Sequence, residues 1–377
     1  MDKKGQIKIM HTTALSADGI TSFVLNVAAL TDKNRFVVDD TVYRQGKELY
    51  EERFCSYGGK KYTVDIWNIR SKPFKMWKKF WGSYHVLRQA QTDIFHLDTE
   101  STDQLFLAFA AKLAGVKAVF YHSHSTRSGR NGMLRKIIEM ICKPMMPLVV
   151  DEYLACSQEA AASVFPKHIL KKKKYRLINN GIIVKDYIFD PKVRAEYRKK
   201  FGLDDKLVLG HVGRFVPLKN QSFLVDVLEA LCRKGQDAVL VLIGEGETQD
   251  SVRAKVKEKN MEDKVLFLGV REDVRKLLQM MDVFVFPSEF EGLPLAGIEV
   301  QAAGLPCLAS DGISKDMKIT DYVEYLPLDK GADIWAEHVW KLSKKERRDT
   351  GEVIRKAGYD IEYTVKILSA MYEKVCQ

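Results

Sequence analysis

Residues 282–310 read DVFVFPSEFEGLPLAGIEVQAAGLPCLAS. The apolar run Val283-Phe284-Val285-Phe286, held between Asp282 and Pro287, has the pattern of a parallel strand buried on both faces. Pro287-Ser288 end the run, and Pro294 is placed to open a helix, where a fixed φ is useful and a missing N–H costs nothing. Glu291 then falls in the turn at the strand's carboxyl end, and Glu299 about one helical turn further on, among Gly297, Ile298, Ala302 and Ala303. Ligands of open α/β sheets bind at that edge, where the first N–H groups of a helix also face an anion. Glu299 needs a partner, because burying an unpaired charge is costly. An isolated pair of acids at this spacing also arises as a solvated loop acid and an ion-paired helix acid, so the remaining sequence has to decide.

Working outward, short β-rich runs alternate with helical stretches: 7–10, 93–97 and 116–121 in the first half, then 207–212, 238–243, 265–268, 283–286 and 306–309. That alternation predicts parallel sheets covered by helices. It pauses after 175–178, where Asn179-Asn180-Gly181 signals a turn and a polar stretch continues to Leu203. The expected division is therefore 1–187 and 188–358, each an α/β domain.

A chain of 377 residues exceeds the size at which one core usually stops growing. No apolar run approaches the roughly 20 residues that span a bilayer, and the start MDKKGQIKIM lacks a signal-peptide stretch, which predicts a cytoplasmic protein. The six cysteines are scattered with no CxxC, so neither a zinc site nor a disulfide framework is expected. Residues 1–187 hold 30 Lys and Arg against 18 Asp and Glu, so the net charge of +10 lies entirely in the first half. Such asymmetry points to an anionic partner for that half.

In Gly210-His211-Val212-Gly213-Arg214-Phe215-Val216-Pro217-Leu218-Lys219-Asn220, a strand ends in glycine and two cations follow before a helix. Gly213 permits close backbone approach. Arg214 offers a planar fork to phosphate oxygens and Lys219 a point charge, a way to hold a diphosphate without a metal. The competing reading is a strand-end loop with solvated cations. Gly244-Glu245-Gly246 and Gly269-Val270-Arg271 end the next two strands. Neither completes a GxGxxG fingerprint, and no GxxxxGK[ST] loop is present, so a nicotinamide cofactor and an ATPase are both disfavoured.

Gly213-Arg214-x4-Lys219, the strand-end glycines, Pro287-Ser288-x2-Glu291-Gly292 and Glu291-x7-Glu299 occur in an order that resembles the retaining GT-B glycosyltransferases of family four. The run GLPCLASDGISKDMKITDYVEYLPL resembles the subgroup that builds bacterial capsular and exopolysaccharides. The likeness covers essentially the whole chain, with its most specific motifs between residues 210 and 311. It implies an α/β fold of GT-B type, with two Rossmann-like domains whose parallel sheets face each other across a cleft. The first would bind the acceptor, and a terminal helix at about 359–377 would pack back onto it. The second would bind a nucleotide-diphosphate-sugar, a UDP-sugar by family habit, with no cofactor and no metal. Arg214 and Lys219 would take the diphosphate, Glu291 the sugar hydroxyls and Glu299 the ribose. Gly213, Gly244, Gly246, Val270 and the backbone N–H groups of Gly292, Leu293, Pro294 and Leu295 would complete the donor site.

In the first half, Gly19 follows the first strand in a loop that usually carries Gly-Gly in the family, with Asp18 in place of the first glycine. His122-Ser123-His124 follows the 116–121 strand. The family's active-site histidine matches either ring, and His122, nearest the strand end, is the favoured catalytic group, with His124 beside the donor. A His-x-His pair alone supplies too few ligands for a catalytic zinc. His96, within a strand, reads as structural. Arg127 and Arg130 lie on a glycine-containing loop suited to an anionic acceptor. Basic aromatic stretches, above all Trp77, Lys78, Lys79 and Trp81, suit an anionic membrane surface, although an ordinary amphipathic helix has the same composition.

The expected reaction is metal-independent transfer of a sugar to an acceptor hydroxyl with retention. The expected acceptor is a polyprenyl-diphosphate-linked saccharide, met in the cytoplasm or peripherally on the inner face of the cell membrane. The alternatives are a GT-B nucleotide-sugar epimerase or phosphorylase, or a non-catalytic binder of nucleotide sugar or nucleic acid. No nucleic-acid motif supports the last.

Overall fold

The computed structural model describes residues 5–16, 18–44, 46–124 and 133–377. The chain divides into two compact units, Met1–Gly181 with Ile361–Gln377, and Ile182–Asp360. The second begins before the polar stretch ends because Ile182 and Val184 are buried against Ile298, Ala302 and Ile354. Among the described residues, no helix is long and apolar enough to cross a membrane.

The first unit is built on strands β1 (Ile7–His11), β2 (Phe36–Val42), β3 (Lys61–Thr63), β4 (Ile94–Thr99), β5 (Ala118–Ser123), β6 (Glu152–Ala155) and β7 (Arg176–Leu177). They form one parallel sheet in the order β3-β2-β1-β4-β5-β6-β7. The strand order reverses between β1 and β4, which opens a crevice at their carboxyl ends. The pairing of β4 with β5 continues through His122 on Asp98 and Ser123 on Thr99. His122 is therefore inside the strand and His124 is the first residue beyond it, a shift from the expected boundary that cross-strand bonding imposes. The helix Ile361–Cys376 belongs to this unit and buries Val365, Leu368 and Tyr372.

The second unit carries β8 (Leu207–Val212), β9 (Ala238–Ile243), β10 (Val265–Phe267), β11 (Val283–Phe286), β12 (Cys307–Ser310) and β13 (Val323–Leu326), all parallel, in the order β10-β9-β8-β11-β12-β13. Both faces are buried, and the period of two along each strand sorts the side chains. Leu240, Leu242, Val283 and Val285 pack on one side with Leu224, Leu228 and Trp335. Val239, Val241, Phe284 and Phe286 pack on the other with Leu277, Leu278 and Val300. The apolar runs that look featureless in sequence are strands covered twice.

At the carboxyl ends the glycines have a packing cause. Gly244 has φ +126°, and a Cβ built on it would stand 2.2 Å from the Gly213 carbonyl oxygen. Gly244→Ala should therefore cost about 2 kcal/mol or more through strain and overlap. Gly235→Ala, at φ +81° with open space around it, should cost only the left-handed backbone penalty of about 1 kcal/mol. Urea unfolding of the two variants against the unmodified chain checks the difference.

Candidate functional site

β8 and β11 are neighbours in space although the chain visits β9 and β10 between them. The loops that follow β8 and β11 thus meet at the point where strand order reverses, and successive strand-end loops are tied together by backbone bonds. Gly213 N–H donates to the Ile243 carbonyl at 2.9 Å, Gly244 N–H to Gly269 at 2.8 Å and Phe215 N–H to Glu245 at 2.9 Å. Gly246, like Gly244, lies where a Cβ would strike a carbonyl, here that of Phe215. Close loop packing accounts for these glycines without a ligand. Val270, half-buried, follows Gly269 in the third loop.

Lys219 ends a single 3-10 turn, Pro217–Lys219, closed by Asn220 in the left-handed region at φ 51°. The Glu289 N–H reaches across to the Leu218 carbonyl at 2.8 Å, joining this loop to the one after β11. The two loops hold an ion pair: Lys219 Nζ lies 2.7 Å from both carboxylate oxygens of Glu291. The Ser288 hydroxyl donates to Glu291 Oε1 at 2.5 Å, and the Ser288 carbonyl accepts from the Ser310 hydroxyl. Lys219 also sits 5.3 Å from the centre of the Phe286 ring. Arg214 is exposed, and among the described residues its guanidinium makes no hydrogen bond or ion pair, while its carbonyl accepts from Gln221 at 3.0 Å. His211 lies beneath. Burial, then the Lys219 charge, pushes its pKa down to about 3, so the ring is neutral and donates Nδ1–H to the Val285 carbonyl. The expected separation of cation from acid is thus replaced, in the structure, by a direct contact between Lys219 and Glu291.

Glu299 lies in the helix Leu295–Ala302, which has Pro294 at its N-cap and no side-chain cap. Of Gly292 to Leu295, Pro294 has no N–H to give, a correction to the expected row of donors. Leu293 packs on the core rather than standing free. Glu299 Oε1 accepts from the Tyr187 hydroxyl at 2.7 Å, and burial raises the carboxyl's pKa while that bond opposes the rise. Burial and the Glu299 charge push the Tyr187 phenol well above its usual range, so it stays a donor. The helix is anchored by buried Gln301, whose amide donates to the Met317 carbonyl at 2.7 Å and whose oxygen accepts from Ile319 N–H at 3.0 Å and Thr320 N–H at 2.9 Å. Tyr187 and Gln301 were missed in the sequence. A glutamate with apolar neighbours signals a missing partner, but nothing local says that the partner is 112 residues away.

In the first unit, four imidazoles gather around one carboxylate at the carboxyl edge of β1, β4 and β5. Asp98 takes His11 Nδ1 and His124 Nε2, each at 2.7 Å, one on each oxygen. His96 Nε2 meets His122 Nδ1 at 3.1 Å, and His96 Nδ1 meets the Tyr372 hydroxyl at 2.6 Å. Burial alone would raise Asp98, but the His11, His96 and His124 interactions outweigh it and hold the carboxyl well below its usual range. Burial keeps His96 and His122 neutral. His122, favoured from the sequence, is fully enclosed. His124 is 8% exposed and bonds Asn180 at 2.9 Å through Nδ1. His96 is structural in its bonds, and His11 and Asp98 had no sequence signal. Ligand atoms of His11, His96 and Asp98, and of Asp98, His122 and His124, come close enough to share a cation. The closest of them are hydrogen-bonded to one another, while His11 Nε2 and His122 Nε2 are buried with no hydrogen-bond partner among the described residues.

Gly19 is exposed at the start of the helix Gly19–Leu30, whose N-cap is Asp18, accepting from Thr21 N–H at 2.7 Å. The acid that replaces glycine is a helix cap. Arg127 and Arg130 lie outside the described residues. The helix Lys72–Ala90 exposes Phe74, Met76, Trp77 and Trp81, and Lys78 is half-buried beside them. Lys79 corrects the expectation of an outward cation. Its ammonium lies 4.0 Å over the Tyr43 ring, and burial lowers its pKa to about 8.

Fold and edge geometry define a two-unit parallel α/β protein with a charged crevice at a strand-order reversal. Residues 193–359 match the family model described as glycosyl transferases group 1. The chain carries this domain and has the fold of GT-B glycosyltransferases. It is 28% identical to the putative glycosyltransferase EpsF of Bacillus subtilis (strain 168), over 97% of this chain and 96% of that protein. It is 29% identical, over 60% of each, to the UDP-Gal:alpha-D-GlcNAc-diphosphoundecaprenol alpha-1,3-galactosyltransferase of Escherichia coli. The crystal structure of Anabaena HepE in complex with UDP and glucose superposes with a TM-score of 0.75 at 16% identity, covering 98% of this chain and all of that one.

Asp40, at the carboxyl end of β2, accepts from the Thr13 hydroxyl at 2.8 Å, and burial raises its pKa from 3.8 to about 7. Its contribution to stability is full below pH ~4 and is lost as pH rises through about 7, on the order of a few kcal/mol at 1.4 kcal/mol per unit. Thermal melts at pH 5, 6.5 and 8 should show the unmodified chain losing Tm across this range, and Asp40→Asn should flatten the loss.

Proposed function

We propose that the chain transfers a sugar from a nucleotide-diphosphate-sugar to a hydroxyl of a polyprenyl-diphosphate-linked saccharide, with retention and without a divalent metal, in capsular or exopolysaccharide assembly. The observation that carries the reading is the placement of Arg214, exposed and with no side-chain partner among the described residues, and Lys219 in the loop after β8, against Glu291 in the loop after β11. Guanidinium and ammonium groups held by a rigid sheet edge stabilise the charge that develops on a departing diphosphate. Glu291 and Glu299 are acceptors for hydroxyls, the sugar's and the ribose's respectively. Retention follows from front-face attack, in which the leaving phosphate oxygen takes the proton of the acceptor hydroxyl as the new glycosidic bond forms and the old one breaks. The activity for which the Escherichia coli relative is named supports a lipid-linked acceptor and a UDP donor, and the UDP complex of the Anabaena protein supports the same nucleotide.

The first unit takes the acceptor side. His124, the first residue beyond the strand's end, replaces His122 as the histidine nearest substrate in this proposal. Phe74, Trp77 and Trp81 share one exposed side of the helix Lys72–Ala90 with Lys78 beside them, a basic apolar surface that suits the anionic cytoplasmic leaflet. An epimerase would act without acceptor, a phosphorylase would need inorganic phosphate, and a binder would turn nothing over, so product analysis with and without acceptor separates all three from a transferase.

Arg214→Ala and Lys219→Ala should each lower kcat/KM by about 10²-fold or more with the melting curve unchanged. Near-normal transfer in both would remove their assigned role. Transfer should persist in EDTA, and strict dependence on added Mg²⁺ or Mn²⁺ would contradict the metal-free scheme. Sedimentation with phosphatidylglycerol vesicles should fall when Trp77 and Trp81 are both changed to Ser, while transfer to a water-soluble acceptor stays within about twofold, as for surface changes remote from the chemistry.

A further inference from the structure

The ion pair between Lys219 and Glu291 joins the two groups to which the proposed function gives different parts of the donor. Lys219 Nζ has both carboxylate oxygens at 2.7 Å, Ser288 steadies the acid at 2.5 Å, and the two side chains are only 22% and 15% exposed. A carboxylate and a phosphate present an ammonium with the same feature, oxygens sharing a negative charge. We propose that Glu291 acts as an internal competitor of the donor's diphosphate for Lys219, so that a nucleotide diphosphate is held firmly only while a sugar engages Glu291. This rests on the reading that Lys219 binds diphosphate and Glu291 binds sugar.

The neighbours allow the exchange. His211 below is neutral and adds no charge. Phe286 offers only a ring face to Lys219. At Gly213 a Cβ would crowd His211 Nε2 at 3.1 Å and only touch the Lys219 stem, at 3.5 Å from its Cε. Arg214 supplies a second cation that has no acid to release among the described residues. With a complete donor, hydroxyl groups satisfy Glu291 and Lys219 turns to phosphate oxygens. After transfer the sugar is gone, Glu291 recovers Lys219, and the diphosphate loses one of its two cations. No covalent bond changes in this exchange; one ion pair replaces another. Its consequences are discrimination against the product nucleotide and faster product release.

Calorimetric titration with pyrophosphate, which needs no nucleobase, and with UDP tests the proposal. Glu291→Asp keeps the charge but shortens the side chain by one methylene, so it no longer spans to Lys219. Binding of both probes should tighten about fivefold, the order expected for freeing one partner of a half-buried pair. Product inhibition of residual transfer by UDP should strengthen in step. Glu291→Gln should tighten them at least as much. If the Asp variant binds both probes no more tightly than the unmodified chain, the competition is overturned, whatever Gln does, because a gain confined to Gln is a field effect of the lost charge. Lys219→Met reports on the underlying reading separately. If it leaves pyrophosphate affinity unchanged, Lys219 is no phosphate ligand and the proposed function fails at that residue. If it weakens binding while Glu291→Asp gives no gain, only the competition fails.

Discussion

The reversal of strand order about β8 is the constraint from which the second unit's chemistry follows. A parallel sheet with both faces covered leaves only its strand ends for polar work, and helices on the two faces diverge where the order turns. The loops after β8 and β11 are thereby brought side by side although β9 and β10 separate them in the chain. One delivers Arg214 and Lys219, the other Ser288 and Glu291, and the strand-end glycines let the loops lie close enough for backbone bonds. Rigidity comes from the sheet and specificity from the few side chains on its edge.

The first unit repeats the strand order and fills the corresponding edge differently. Where the second unit pairs a lysine with a glutamate near solvent, the first buries a carboxylate among four imidazoles. An isolated buried Asp98 would be untenable, since desolvation opposes its charge. His11 at the end of β1, His96 in β4 and His124 just beyond β5 make it stable, and the Tyr372 hydroxyl from the terminal helix bonds His96. The helix Ile361–Cys376 is thus tied to the chemistry of this edge as well as to the core. His124 is the member through which the cluster meets its surroundings, bonded on one side to Asp98 and on the other to Asn180.

Much of this was legible in advance. The runs 207–212, 238–243 and 283–286 are strands at those bounds, because an apolar stretch between turn residues has few other ways to hide. The order Gly213, Arg214, Lys219, Glu291, Glu299 pointed to a donor-binding edge for the same local reasons, glycines and charges at strand ends. What misled was the assumption that charges of opposite sign in such a site act apart. Lys219 and Glu291 are 72 residues distant in the chain, and only their placement shows that they hold each other. Lys79 was read as a surface cation because it lies in a stretch that mixes aromatic and basic residues, yet its ammonium lies over Tyr43 of another segment.

The sequence by itself determined that the chain makes two parallel α/β units and that the candidate donor-site residues follow strand ends, since periodicity, turn residues and glycines act over short spans. The tertiary structure decided which of those residues meet. It put His122 inside a strand and His124 at its end through the pairing with β4, gave Glu299 its Tyr187, and closed Lys219 on Glu291. Those outcomes depend on pairing register and on distances between segments far apart in the chain. Hydrogen bonds and ion pairs are sensitive to fractions of an ångström, a precision that local pattern does not carry.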